Sequence, residues 1–304
     1  MLAFLPGFLR GVSGAVFLVL NTLFWAVPIY ITAVFKLMLP FRAARGLFDT
    51  ILNLLSYTWI YCINGFIGLI KDVEYDVEGL EKLKPDEWYL VISNHQTLVD
   101  IIVLQKIFHG RIPFLKYFLK KELIWMPILG LAWWALDYPF MQRYSAELLR
   151  KKPHLKGRDI EATRKACAKF KDKPASIMNF VEGTRFTPAK HAAQKSPYKH
   201  LLKPRSGGIS YVLSMMGENM RKVIDVTIVY PDGAQNAWEF LYNKKSRIIV
   251  RIDVLPIDSS LRGQDPDDPE YKKRFNSWLN DLWEKKDIII TREIKRMASH
   301  ITPG

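Results

Sequence analysis

Two stretches without a charge decide what this chain can become. No Asp, Glu, Lys or Arg occurs between Arg10 and Lys36, and none between Asp49 and Lys71. As helices rising ~1.5 Å per residue, both are long enough to reach across a ~30 Å hydrocarbon core. The first is too long for the apolar core of a secretory signal, and no small-residue cleavage site follows it. Residues 1–70 are therefore expected to be an N-terminal pair of membrane-embedded helices, and 71–304 a separate globular domain. The alternative is a pair of buried core helices in a soluble protein. Pro28 interrupts the first helix, and Asn53, Ser56, Asn64, Gly65 and Gly68 dilute the second. Lys36, Arg42 and Arg45 flank the connector, and Lys71 leads into a basic domain. Positive charge prefers the cytoplasmic side. Two full crossings would put connector and domain on opposite sides, so a re-entrant or half-embedded pair is expected.

The remainder is a globular composition. Of 304 residues 49% are hydrophobic, nine are Trp, and the net charge is +14. Disorder is excluded. The charge calls for anionic partners: phospholipid headgroups, nucleic acid or an acidic carrier protein. Two cysteines, Cys62 and Cys167, make no disulfide framework and fit a reducing compartment. There is no zinc-ligand spacing, no Gly-rich phosphate loop and no internal repeat, so neither a metal nor a nucleotide cofactor is expected.

Beyond Lys71 the chain alternates strands and helices. Asp72–Glu78 alternates apolar and charged residues as a half-exposed strand does. Trp88–Ile92 is an apolar run ending at Ser93, and a helix follows from about Leu98 to Phe108, closed by Gly110. Strands are expected at Ser176–Val181, Val223–Tyr230 and Arg247–Leu255. Helices are expected at Arg158–Phe170, Arg205–Met220 and Tyr271–Met297, with a polar loop over Pro188–Pro204. Tyr271, Phe275, Trp278 and Leu282 lie at helical spacing and should dock the tail onto the domain. The pattern defines an α/β fold with a mixed, partly parallel sheet flanked by helices.

Chemistry gathers at two of the turns. His95 stands where a strand ends and a helix begins. Asp100, five residues on, is rotated about 140° on a continuous helix. If His95 lies in the turn instead, the carboxylate can fold back onto the imidazole, fix its tautomer and stabilise an imidazolium. Thr97-x-x-Asp100 also reads as a capping box. Both readings stay open on this stretch alone. Downstream, Glu182-Gly183-Thr184-Arg185 follows a strand: Gly183 permits a tight turn, Thr184 offers a hydroxyl, and Arg185 a planar fork suited to phosphate. Between them Lys116, Lys120, Lys121 and Glu122 precede an apolar stretch with Trp125, Trp133 and Trp134, which reads either as a membrane-facing edge or as a solvated lysine face. The basic run from Arg143 to Lys173 is either a solvated face or a surface for anionic lipid or an acidic carrier.

Taken together, these blocks resemble the glycerolipid acyltransferase superfamily, and within it the 1-acylglycerol-3-phosphate (lysophosphatidate) acyltransferases. The resemblance rests on His95-x-x-x-x-Asp100, Lys120-x-Glu122-Leu123, Pro127-x-x-Gly130 and Glu182-Gly183-Thr184-Arg185, in that order, over about residues 70–255. The chain departs from the family pattern at Thr97 (usually Ser), Val181 (Pro), Phe186 (Ser) and Asp225 (Pro). Phe180–Thr187 and Tyr230-Pro231-Asp232 are similar to a bacterial YihG-like branch.

The resemblance implies direct transfer of an acyl group from acyl-CoA or acyl carrier protein to the sn-2 hydroxyl of lysophosphatidic acid, without a cofactor. It implies His95 as general base and Asp100 as its orienting group. Lys120 and Arg185 would bind the acceptor phosphate, with Gly183 and Thr184 shaping the turn and Glu182 orienting its neighbours. It also implies membrane lipids as surroundings, a bacterial inner membrane with the site at its cytoplasmic face, and no nucleic-acid partner. The competing readings are another acceptor (glycerol 3-phosphate or a phosphate-free lyso-lipid), a hydrolase, and a basic membrane-bound interaction protein.

Overall fold

The computed structural model describes residues 4–39, 41–141, 164, 167–168, 170–171 and 173–301. Helices α1 (Gly7–Met38) and α2 (Arg42–Ile70) form an antiparallel pair. Phe17 of α1 stacks on Phe66 of α2 with ring centroids 3.9 Å apart. Only 22% and 17% of their most apolar stretches are buried. Ile29, Ala33, Leu52, Ile67 and Ile70 join the core, whereas Val16, Leu20, Phe24 and Ile31 of α1 face outward.

Strands β1 (Asp72–Glu78), β2 (Tyr89–Ser93), β3 (Leu115–Tyr117), β6 (Ser176–Phe180), β7 (Lys222–Val229) and β8 (Lys245–Pro256) make one six-stranded sheet in the order β1-β8-β7-β2-β6-β3. β7, β2, β6 and β3 run parallel, β8 runs antiparallel to β7, and β1 runs parallel to β8. The sheet is mixed, as expected. A separate two-stranded ribbon pairs β4 (Leu119–Lys120) with β5 (Phe140–Met141). α3 (Val99–Phe108), α4 (Leu129–Ala135) and the N-terminal pair cover one face of the large sheet. α6 (Gly207–Met216) and the tail helix α8 (Pro269–Ile301) cover the other. β2 is central and wholly buried, so its apolar run does not alternate.

The helix pair is tied to the domain at both ends. At one end Gly7, Gly11 and Gly14 meet α7 (Ala237–Tyr242) so closely that a Cβ at Gly11 would fall 2.9 Å from the Trp238 ring. Arg10 there donates to the Tyr242 carbonyl at 2.7 Å. At the other end Lys36 pairs with Asp49 at 2.8 Å and with Asp137 of the domain at 2.6 Å, and Lys173 reaches Asp49 at 2.9 Å. In between, the Tyr30 hydroxyl donates to the Ile128 carbonyl and that of Tyr57 to the Ile112 carbonyl. The pair lies along the domain rather than standing off it.

Two stretches differ from their sequence reading. Part of Pro188–Pro204 is helical: α5 (Pro188–Gln194) starts at Thr187, whose side chain accepts from the Lys190 amide, with Pro188 in the first turn. α7 follows a full capping box between Asn236 and Glu239. The tail helix docks through buried Tyr271, Phe275 and Leu282 with Trp278 partly covered, and Trp283 joins them. The helix expected over 158–170 lies outside the described residues except Arg164, Cys167, Ala168 and Phe170.

Candidate active site

Three parallel strands deliver the site. β2 ends at Ser93, and the next residue, Asn94, knits it to β7: its Oδ1 accepts from the Ile228 amide and its Nδ2 donates to the Ile228 carbonyl, both at 2.9 Å. His95 follows in the turn. Asp100, in the first turn of α3, has no exposed surface. Its Oδ2 accepts from His95 Nδ1 at 2.8 Å, the Gln96 amide at 2.7 Å and the Thr97 amide at 3.0 Å. Its Oδ1 accepts from the Tyr230 hydroxyl at 2.6 Å. Cap and imidazole partner are thus one carboxylate. Thr97 does not complete a capping box: its hydroxyl donates to the Gln235 carbonyl at 2.6 Å, and the Val99 amide reaches it only at 3.4 Å. Donation to the loop after β7 has turned that side chain away from the helix start.

A carboxylate at Nδ1 holds the ring proton there and leaves the Nε2 lone pair available. The His95 side chain is 13% exposed. Phe180 stacks on the ring at 3.9 Å and 13°. Burial beside Asp100 pushes the Tyr230 phenol well above its ordinary range, so it remains a donor. Cys167 is buried and its thiol is pushed up to about 12, which removes it as a nucleophile.

The Glu182–Arg185 turn leaves β6 beside His95. Gly183 holds φ +72, the left-handed region that glycine tolerates. The Gly183 amide donates to the Phe180 carbonyl at 2.9 Å, and the Phe186 amide donates to the His95 carbonyl at 2.7 Å, tying this turn to the first. Glu182 is fully buried, and neither carboxyl oxygen closes a good hydrogen bond among the described residues. Burial raises it to about 8, against the opposing pull of the Leu202 and His95 peptides and of Lys286. It is therefore mostly protonated at neutral pH.

The cations around this turn behave differently. Lys190 of α5 donates to the Thr184 hydroxyl at 2.7 Å and to the Arg185 carbonyl at 3.1 Å. The Arg205 side chain passes over Gly183, and its amide donates to the Val181 carbonyl at 2.7 Å. The side chains of Arg185 and Arg205 are exposed and form no hydrogen bond or ion pair among the described residues. Lys120 stands apart on the β4–β5 ribbon, exposed, with no bond to the other candidate residues. His95, Asp100, Glu182, Gly183, Thr184 and Arg185 are thus brought together by two linked turns, whereas Lys120 is not joined to them. Asn94, Lys190 and Arg205 were given no role by sequence reasoning, and Tyr230 entered only as part of the Tyr230-Pro231-Asp232 resemblance. Lys190 lies in a stretch read only as a polar loop, Arg205 at the start of an expected helix, and Tyr230 at the end of an expected strand.

A histidine–carboxylate pair at the C-terminal crest of a parallel sheet, next to a basic turn, defines a class. The pattern of the Acyltransferase family matches residues 74–231, and the chain belongs to that family. More particularly, it is 27% identical over 242 residues to a 2-acyl-1-lysophosphatidylinositol acyltransferase of Saccharomyces cerevisiae, covering 67% of this chain and 60% of that protein. It is 27% identical over 216 residues to the human 1-acyl-sn-glycerol-3-phosphate acyltransferase gamma, covering 67% and 52%. The match spans about half to three fifths of the length of these relatives. In fold it is similar to the crystal structure of the 1-acyl-sn-glycerophosphate (LPA) acyltransferase PlsC from Thermotoga maritima, with a TM-score of 0.52 over 96% of each chain at 18% identity.

Proposed function

We propose that this chain moves a fatty acyl group from an acyl thioester, acyl-CoA or acyl carrier protein, to the free sn-2 hydroxyl of lysophosphatidic acid, giving phosphatidic acid. The observation that carries the reading is the Asp100-held imidazole, with Nε2 available, beside a turn where Arg185 and the neighbouring Arg205 have no side-chain partners among the described residues. His95 Nε2 takes the proton as the acceptor hydroxyl attacks the thioester carbonyl. The C–O bond forms, the tetrahedral intermediate collapses, and the C–S bond breaks. A thiol of intrinsic pKa about 8.5 leaves readily as thiolate, and the imidazolium returns the proton to it. Asp100 keeps the ring oriented and stabilises its cationic form. Arg185 and Lys120 bind the acceptor phosphate, joined by Arg205 and Lys190. Glu182 orients the turn from behind. No cofactor enters this chemistry.

The setting fits such a lipid substrate. The outward faces of α1 and α2, with Trp125 at 86% exposure, form an apolar surface continuous with the domain. The tethering of both helix ends to the domain supports a half-embedded pair. The reading places the chain at a bacterial inner membrane, with the site at its cytoplasmic face. A second acceptor is favoured by one observation, the likeness to the yeast lysophosphatidylinositol acyltransferase. An acceptor panel separates the two.

The decisive measurement is acyl transfer by membranes carrying the full chain, given lysophosphatidate and acyl-CoA. His95→Ala should lower turnover by roughly 10³–10⁴-fold, the scale of losing a base or its orienting group, without releasing the protein from the membrane. Residual activity within tenfold of the wild type would remove His95 as base.

A further inference from the structure

The tail helix α8 makes contacts that docking alone does not require. Lys286 has no exposed surface. Its ammonium lies 2.7 Å from Asp225 Oδ1 and donates to the Val226 carbonyl at 2.6 Å and the Thr227 hydroxyl at 3.1 Å. Two hydrogen bonds and one ion pair, the last without good hydrogen-bond geometry at Asp225 Oδ1, thus surround the ammonium. Asp225 lies in mid-strand on β7, opposite Ile92 of β2. Three residues further along, Ile228 holds Asn94, and the strand leads on to Tyr230. One helical turn around Lys286, the same face of α8 holds the segment behind the Glu182 turn. Trp283 Nε1 donates to the Leu202 carbonyl at 3.1 Å. The Asp287 carboxylate accepts from the Lys199 and His200 amides at 2.8 and 2.7 Å. Leu202 in turn presents its peptide to Glu182, and the chain continues through Pro204 to Arg205, which lies over Gly183.

A buried ion pair is a poor way to gain stability, because desolvation consumes most of the Coulomb attraction. Well-packed apolar side chains would hold a helix on a sheet as firmly. What the ammonium adds is direction: two hydrogen bonds and an ion pair to three successive residues of one strand define where that part of α8 sits.

We propose that α8 positions the acceptor side of the site, with Lys286 as its central positioning residue: it registers the helix against β7, so that Trp283 and Asp287 hold the 199–205 segment where Arg205 can reach the acceptor's phosphate. The proposal rests on the acyl-transfer reading above. Lys286 touches no substrate and acts only through what it places. The consequence is selective. Binding of the phosphate-bearing acceptor depends on the tail helix, and binding of the acyl donor does not.

The test replaces the pair by apolar residues and reads the two substrates separately. Asp225→Leu combined with Lys286→Met, in the full chain, should melt within a few degrees of the wild type. Its KM for lysophosphatidate should rise five- to twentyfold, with the KM for acyl-CoA within twofold. Asp287→Ala, at a partly exposed position that tolerates truncation, should raise the acceptor KM two- to fivefold and leave the donor KM alone. If the double variant does not fold, Asp287→Ala decides. Unchanged KM values in the folded variants, or equal rises for both substrates, would overturn the proposal while leaving the acyl-transfer reading intact. A wild type that transfers to no lysophospholipid would sink that reading and this one together.

Discussion

The two turns at the crest of the sheet are built on opposite plans. In the turn after β2, hydrogen-bonding capacity is used internally: Asp100 accepts four donors, and Asn94 is matched donor to acceptor against Ile228. In the turn after β6, Glu182 is buried without a good partner, and Arg185 and Arg205 extend unpaired among the described residues. A group that must hold one geometry through a reaction gains from being saturated by the protein. A group that must receive a charged ligand has to keep its donors open. On the proposed reading, the difference separates the part of the site that orients from the part that binds.

Substitutions that exchange these properties test the contrast. The largest effect belongs to the saturated turn. Asp100→Asn turns an amide NH₂ toward groups that already donate, so turnover should fall by about 10³–10⁴-fold with little change in acceptor KM. A change mainly in KM, measured by steady-state kinetics, would erase the division between the two turns. Next comes the open turn. Arg185→Ala should raise the KM for a phosphate-bearing acceptor by roughly ten- to a hundredfold, the worth of a hydrogen bond to a charged group, and leave turnover near wild type. A phosphate-free acceptor should show no such rise.

The smallest effect on catalysis is expected at Glu182, and it is legible in stability. The folded protein keeps this proton up to about pH 8, whereas the ordinary carboxyl value is 4.5. Between those values the native state binds the additional proton, so stability falls as pH rises. Below 4.5 the loss is absent, and above 8 it is complete. Glu182→Gln should therefore flatten the slope of melting temperature against pH between 5 and 8, with activity changed by no more than about threefold, as for a neutral isostere. An unchanged slope would mean that the carboxyl ionises freely.

Much of this arrangement can be read along the chain. Apolar runs mark β2, β6 and β7 because these strands are covered on both faces, and the alternation of Asp72–Glu78 marks β1. The fold-back of Asp100 onto His95 is a local event, five residues apart, and spacing exposes it. Tyr230, Arg205 and Lys286 reach the same place from 100 residues away or more, and nothing in their own neighbourhoods declares a partner. Asp225 is instructive in this respect: the sequence marks it only as a departure from the family's Pro, and its ion pair with Lys286 is visible only in the fold. β3, β4 and β5 are two or three residues long, too short for any period to register. α5 and α7 are also short, and only their caps at Thr187 and Asn236 announce them.

The double anchorage of the helix pair has a mechanical consequence. A hairpin fixed at one end is a hinge. One fixed at both, through Arg10 at Tyr242 and Lys36 at Asp137, is a keel. With 32 residues rising ~1.5 Å each, α1 spans the distance between these two anchors as one continuous helix. On the proposed reading, a keel settled into lipid would fix the draught of the whole molecule and hold His95 at one height above the acyl chains. A substrate confined to that surface would then need no long search in three dimensions, only drift in plane until its glycerol stood level with the imidazole.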